Sequence, residues 1–463
     1  MRRRNTSFNT ASHVRLALWV YALLVVLVTA ASWAIYKHNT AFYLRPLFTA
    51  EDQFRDLTNY IDKTAHLYHG SAALGSGYPI YGYPGPTGAY VDKFLIYTFP
   101  GHAVRFYLVL LTICISCFAV VAWRAARAGR AVMHSAAAAI VVTAVLGYPL
   151  WFCADRGNIE GVVWALAAAG LCFLLRGRYR AAAVLIGLSV SIKPFTILFL
   201  FLLVGRRKYK EAALGLVTVV VLVIASLTAM GPTPWKVYQD LKPGASLYLD
   251  CYIMDLRPPE EMRFNHSLLD GMKSAALTVE MGGIHRHKAI AEIERLRAEP
   301  GGWHVVHPLV RVYPFVAIAG IGLLFAVFYR MPLLNQLTAL AVAVTLFPPV
   351  AGDYTLLHLY VPFGALLVFL TREVVPGKAA FPYSSMLALA VIYALLFSPL
   401  TFLMIYAGDA KLLLLLALLV VAARSPMPSA YFGDPANQDV TREIRAERSM
   451  ISLLRCASTS APR

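Results

Sequence analysis

The chain has 463 residues, of which 59% are hydrophobic and 14% charged, with a net charge of +17. Soluble domains carry roughly 25% charged residues, so the composition excludes an ordinary soluble protein and points to one helical membrane bundle. The six cysteines form no disulfide framework and no zinc-spaced cluster. Cys114, Cys117 and Cys172 read as small buried hydrophobes, and one Cys153–Cys251 disulfide is the single pairing left open.

Apolar runs long enough for roughly 30 Å of hydrocarbon predict spans near 16–36, 104–123, 132–152, 159–175, 212–230, 307–329, 337–350, 356–371, 383–405 and 411–423. Basic clusters punctuate them: "MRRRN", "WRAARAGR" at 123–130, "RGRYR" at 176–180, "GRRKYK" at 205–210, "TREVVPGK" at 371–378, and the tail from Arg424. Lys and Arg accumulate on the cytoplasmic side, which puts both termini there. The first run is long for a cleaved signal segment.

Residues 181–204 break the alternation, because basic clusters flank them on both sides. Lys193-Pro194 interrupts this run. Proline removes an amide donor and disfavours helix at the preceding residue. Two short helices that dip in and return satisfy the charge rule, with Lys193 at the buried turn; the alternative is a single kinked span. With the re-entrant reading, the cytoplasmic segments hold 23 of the 42 Lys+Arg and 6 of the 25 Asp+Glu, leaving 19 of each elsewhere. The whole net charge is then a topology signal, and nucleic-acid binding is not needed to explain it.

Residues 1–423 therefore read as one bundle, with extended outer loops at 37–103 and 231–306 and a weakly ordered polar tail at 424–463. The first loop carries "EDQFRDLTNY", with Glu51, Asp52 and Asp56 close to the membrane face. Asp56 opens a helical pattern, "FRDLTNYIDKTAHLY", followed by the Gly/Pro/Tyr stretch "GSGYPIYGYPGPTGAY". Its tyrosines, Tyr83 among them, suit either an interfacial belt or a stacking platform for sugar rings.

"DLTNYIDKTAHLYHG…YGYPGPTGAYV" resembles the first-loop signature of glycosyltransferase family 87, polyprenol-phosphate-mannose-dependent transferases of the GT-C membrane fold. Three further stretches agree in order and placement: "ADRGNIEGVVWALAAAGLCFLLRGRYRAAAVLIGLSVSIKPFTILFL" at 154–200, "FNHSLLDGM" at 264–272 and "PPVAGDYTLLHLYVP" at 348–362. The resemblance spans about 50–365. It implies an all-α polytopic membrane protein, a GT-C-like bundle of about ten spans plus a re-entrant helix pair, lying in the plasma (inner) membrane with its active site on the outer or periplasmic face.

The implied reaction moves a hexose, mannose in the family, from a polyprenyl-monophosphate carrier to a lipid or glycan hydroxyl. A carboxylate serves as general base for that hydroxyl. Asp56, in the Asp-Leu-x-x-Tyr register, is the expected base and Asp52 the second choice. Arg156, Lys193, His266 and His358 are expected at the donor phosphate, with Asn265, Ser267, Asp353 and Tyr83 at sugar or acceptor. Structural roles stay open beside these: Lys193 at helix-end carbonyls, Arg156 paired with Asp155 or Glu160, Asn265 and Ser267 in a loop turn. No DxD pair is present, and neither a metal nor another cofactor is required. Two other activities remain open, a lipid or glycan transporter and a polymerase or ligase using a diphosphate-linked donor.

Overall fold

The computed structural model describes residues 2–39, 47, 54, 56–57, 86–88, 90–91, 102–127, 130–257, 259–300 and 302–432. Glu51, Asp52 and Tyr83, most of the first loop, and the tail beyond 432 lie outside the described residues. The described chain is helical, and its one β contact is an isolated bridge between Asn265 and Gly352.

Helix α1 (Arg2–His38) is followed by α2 (Ala103–Ala126) and α3 (Met133–Leu146). Gly147, in extended geometry, breaks the third run. The Tyr148 amide leaves the helix ladder and donates to Phe397 O at 2.8 Å, so α4 (Tyr148–Arg156) starts afresh. Gly157 then ends α4 in the left-handed region (φ 63°), a conformation that costs glycine least. Helix α5 (Glu160–Leu175) runs back beside α6 (Tyr179–Ile192). Ser189 Oγ donates to Val163 O at 3.0 Å near one end of this pair. At its other end, Gly170 is packed so closely that a Cβ would lie 3.2 Å from Ala182 O.

The Lys193-Pro194 break has the geometry of a hairpin. Lys193 is extended (φ −134°, ψ 121°), as a residue before proline tends to be. A 3-10 segment, Pro194–Leu200, and the short α7 (Phe201–Gly205) carry the chain back. The two ends meet: Arg206 Nη1 lies 3.3 Å from Tyr179 Oη, and Lys208 Nζ sits 5.1 Å over the Tyr179 ring. Helix α8 (Tyr209–Met230) then runs parallel to α6. A Cβ on Gly187 would meet Gly215 O at 2.6 Å, and one on Gly215 would meet Ala183 O at 3.2 Å. Two parallel neighbours in one chain require a return between them, so a single kinked crossing is excluded by geometry.

Residues 231–306 fold into α9 (Pro234–Tyr248), α10 (Pro259–Met262), α11 (Leu268–Glu280) and α12 (Arg286–Ala298). They carry a small core of their own, in which Leu256, Met262, Leu277, Ile293 and Trp303 are buried together with Ile405. Helices α13 (Val306–Phe328), α14 (Leu333–Leu346), α15 (Tyr360–Phe369), α16 (Tyr383–Leu396) and α17 (Ala407–Arg424) complete the bundle. A 3-10 segment, Asp353–Leu359, precedes α15. The run expected as one span at 383–405 is divided: α16 stops at Leu396, before Pro399, and Thr401–Tyr406 opens the next crossing. Seven of the described helical stretches have the length and apolarity to cross a membrane, Asp353–Val374 and Thr401–Arg424 among them. Helices α5, α6, α14 and α16 and the Pro194–Gly205 stretch are apolar as well but shorter, at 10–17 residues.

The basic clusters share one end of the bundle. Arg15 donates to Ala131 O at 2.8 Å, Arg372 to Arg124 O at 3.4 Å and Arg206 to Phe432 O at 3.4 Å. The first residues after α17 pack there too: Met427 N donates to Asn335 Oδ1 at 2.8 Å and Tyr431 N to Glu373 Oε1 at 3.1 Å. Cys153 is a free thiol, not half of a disulfide; its Sγ lies 3.1 Å from Tyr107 Oη.

Candidate active site

The opposite end gathers most of the buried charges among the described residues, with Glu373 at the basic end as an exception. The α4–α5 junction, "DRGNIE", is its centre. The turn at Gly157 sends Arg156 and Asn158 toward the same carboxylate: Arg156 Nη2 lies 2.9 Å from Asp56 Oδ1, and Asn158 Nδ2 lies 2.7 Å from Asp56 Oδ2. Phe54 N also donates to Asp155 O at 2.6 Å, which anchors the start of this loop segment on α4. The Asp56 side chain keeps 17% of its surface and Arg156 25%, so both remain reachable from outside the bundle.

A second layer lies behind the first. Asn158 Oδ1 accepts the Glu160 amide at 3.0 Å and Lys193 Nζ at 3.2 Å. Lys193 Nζ lies 2.6 Å from Glu160 Oε2, and His358 Nε2 lies 2.8 Å from Glu160 Oε1. These three side chains are all but fully buried. The chain from Asp56 through Asn158, Lys193 and Glu160 to His358 joins the first loop, the α4–α5 turn, the hairpin tip and the Asp353–Leu359 segment. Each charge in this network has an opposite partner, as burial of charge demands, while His358 Nδ1 has no hydrogen bond among the described residues.

The same 3-10 segment carries a separate cluster. Lys411 Nζ, at the start of α17, lies 2.5 Å from Asp353 Oδ2 and 4.7 Å above the Tyr148 ring. His266 Nε2 lies 3.1 Å from Thr355 Oγ1. The Thr355 hydroxyl also lies 2.9 Å from Gly352 O, and its role toward Nε2 follows the tautomer of His266. His266 Nδ1 faces Asp353 Oδ1 at 3.4 Å, and neither atom has a hydrogen bond among the described residues. Burial pushes the His266 imidazole below its usual range, and Asp353 opposes that shift. Tyr354 lies between the clusters, with Lys193 Nζ 5.1 Å over its ring.

Asn265 and Ser267 hold backbone. Asn265 Oδ1 accepts Ala351 N at 2.9 Å and Ser267 N at 3.1 Å. Ser267 Oγ caps α11 by accepting Asp270 N at 3.1 Å and donates to Pro349 O at 3.0 Å. Their shared effect is to seat the 231–306 loop on the residues entering the Asp353 segment.

The structure thus brings Asp56, Arg156, Lys193 and His358 into one network, and His266, Asp353, Asn265 and Ser267 into its neighbour. Lys193 and His358 both spend a nitrogen on Glu160, which leaves Arg156 as the more open cation. Arg156 pairs with Asp56, and not with Asp155 or Glu160. Sequence reasoning missed Asn158 and Lys411, and it valued Glu160 only as a salt-bridge partner for Arg156. A signal was present: Glu160 and Lys411 are charges at the edges of apolar runs, where burial requires a partner. No group of three or more His, Cys, Asp or Glu side chains is arranged to hold a metal among the described residues.

The family model of glycosyltransferase family 87 matches residues 81–351, more than half of the chain. The chain belongs to glycosyltransferase family 87. The match runs from the first loop through the α4–α5 turn, the hairpin and the 231–306 loop to the threshold of Asp353. No curated protein and no solved structure matches the chain.

Proposed function

We propose that this glycosyltransferase moves a hexose, mannose by family resemblance, from a polyprenyl monophosphate to an acceptor hydroxyl with inversion, at the outer face of the plasma membrane. The observation that carries the reading is the seating of the Asp56 carboxylate on Arg156 and Asn158, accessible from outside and at the end opposite the basic clusters. Basic clusters mark the cytoplasmic side, so this end faces outward and both ends of the described chain lie inside.

Asp56 accepts the acceptor's proton as its oxygen attacks the anomeric carbon. The new bond forms from that oxygen to C1. The bond from C1 to the phosphate oxygen breaks, and polyprenyl phosphate leaves. Asn158 and Arg156 fix the two carboxylate oxygens and so orient the base. Arg156, with exposed surface beside Asp56, is the cation best placed to meet the growing charge on the leaving phosphate. Lys193, Glu160 and His358 hold Asn158 and the hairpin tip in register. His266 and Asp353, both buried, brace the neighbouring cluster together with Lys411, Asn265 and Ser267.

Incubating purified protein with hexosyl polyprenyl monophosphate and, separately, with a diphosphate-linked sugar tests the donor class. Turnover of the monophosphate alone supports the reading. Turnover of the diphosphate alone replaces it with a polymerase- or ligase-type reaction, and vectorial movement of intact lipid without transfer replaces it with transport.

A further inference from the structure

At the basic end of the bundle, far from the acid-bearing site, lies a cavity of ≈ 280 Å³ lined by Arg15 and Trp19 of α1 and by Arg130, His134 and Ser135 at the entry to α3. Its volume is several times a water molecule's share of roughly 30 Å³, so it has room for more than a bare ion. We propose that this cavity binds the headgroup of an anionic phospholipid.

Residues 1–50 and 93–154, which include every lining residue, contain no Asp or Glu. The acid on a neighbouring turn, Glu373, already accepts Ser429 Oγ at 3.3 Å and Tyr431 N at 3.1 Å. Two guanidinium groups and an imidazole therefore face one cavity without a carboxylate from their own segments. Arg15 gives one N–H to Ala131 O at 2.8 Å, which holds its guanidinium at the cavity wall. The start of α3 adds to the field. Val132 gives it no side-chain cap, and Ser135 Oγ turns back to Val132 O at 2.9 Å. First-turn amides of a 14-residue helix thus carry a partial positive charge toward the same space.

The apolar surroundings choose a lipid over a soluble anion. Trp19 lies one turn beyond Arg15 and is 47% exposed, an amphipathic ring of the kind found at headgroup level. Leu16, Leu23 and Leu27 are exposed on the same stripe of α1, running from the cavity toward the bundle's middle. A phosphate in the cavity places its acyl chains along that stripe. A free phosphate uses only the charged half.

The test uses the full chain in nanodiscs of phosphatidylcholine, with and without phosphatidylglycerol, read by thermal unfolding and by native mass spectrometry of retained lipid. The parent protein is expected to unfold at higher temperature with phosphatidylglycerol and to retain it over phosphatidylcholine. Arg130→Gln, which leaves the Arg15–Ala131 bond intact, and Arg15→Gln should each weaken that retention several-fold; together they should weaken it about tenfold or more. Arg124→Gln, a basic residue of the same end outside the cavity, should not. Unchanged retention in Arg130→Gln and Arg15→Gln overturns the proposal. Equal loss in Arg124→Gln does the same, since it indicates diffuse surface charge. Protection of phosphatidylcholine discs by inorganic phosphate equal to that by phosphatidylglycerol overturns the lipid assignment in favour of a soluble anion.

Discussion

Lys193 Nζ lies 2.6 Å from Glu160 Oε2, with each side chain only 4% exposed, at the tip of a hairpin whose two ends meet at Tyr179 and Arg206. A buried ion pair is costly to break from one side, because the remaining charge is left without compensation; the loss is about 3–5 kcal/mol. Glu160→Gln and Lys193→Gln should each lower the thermal midpoint strongly. The Glu160→Gln/Lys193→Gln double variant should lose less than the two single losses combined. Thermal unfolding of the four proteins in one detergent measures the coupling, and additive losses would contradict the pairing.

The hairpin depends on a close approach that only glycine permits. A Cβ at Gly187 would fall 2.6 Å from Gly215 O and 2.9 Å from Thr218 Cβ. Gly187→Ala forces α6 and α8 apart and should destabilise by about 1–3 kcal/mol, the usual range for overpacking. Gly177, where nothing lies within 4 Å of an added Cβ but φ is 74°, should respond through backbone strain alone and less severely. Comparing Gly187→Ala with Gly177→Ala by thermal unfolding checks the ranking. A tolerant Gly187 would mean that α6 and α8 are not in contact.

A return of the chain between α6 and α8 fixes a labelling pattern. Single cysteines at Arg180 and Lys210 should react with a membrane-impermeant reagent from one side, and a cysteine at Gly283 from the other. Opposite accessibility at Arg180 and Lys210 is the outcome that rules out the hairpin.

The hairpin was legible in the sequence because two basic flanks and one Lys-Pro break leave few arrangements that satisfy the charge rule. The partners of the charges were not legible. Asp56 and Arg156 are separated by |i−j|=100, and His358 and Glu160 by |i−j|=198. Neither spacing leaves a periodic trace, since each pair forms only when separate elements pack. Lys411 was overlooked because "DAKLLLLL" reads as an ordinary interfacial charge before an apolar run; packing of α17 on the Asp353 segment buries it. The division of 383–405 at Leu396 was missed because apolarity continues through "FSPLTFLMIY" while Pro399 ends the helix.

Asp270, capped beneath Ser267 in the outer loop, gives a pH test away from the spans. Burial pushes its carboxyl up from 3.8 to about 6, with Lys273 and Arg257 opposing. The unfolded chain releases this proton first, so between those values the native state holds the extra proton and stability falls as pH rises. Asp270→Asn cannot ionise. Relative to this variant, the parent should lose thermal midpoint from about pH 4 to about pH 6.5 and hold a constant difference above. A difference independent of pH would remove the titration from Asp270.

The central claim is that Asp56 is the proton acceptor, and the direct measurement is the single-turnover rate of Asp56→Asn with a hexosyl polyprenyl monophosphate, alongside donor binding and thermal midpoint. Asparagine keeps the size of the side chain and can still meet Arg156, but it cannot take the acceptor's proton. Loss of a general base costs about 100- to 10,000-fold in rate. The account predicts a loss in that range with donor affinity and folding retained, and a much smaller loss for Asp52→Asn. Transfer by Asp56→Asn at close to the parent rate would contradict it, and an inactive Asp52→Asn beside it would move the base to Asp52.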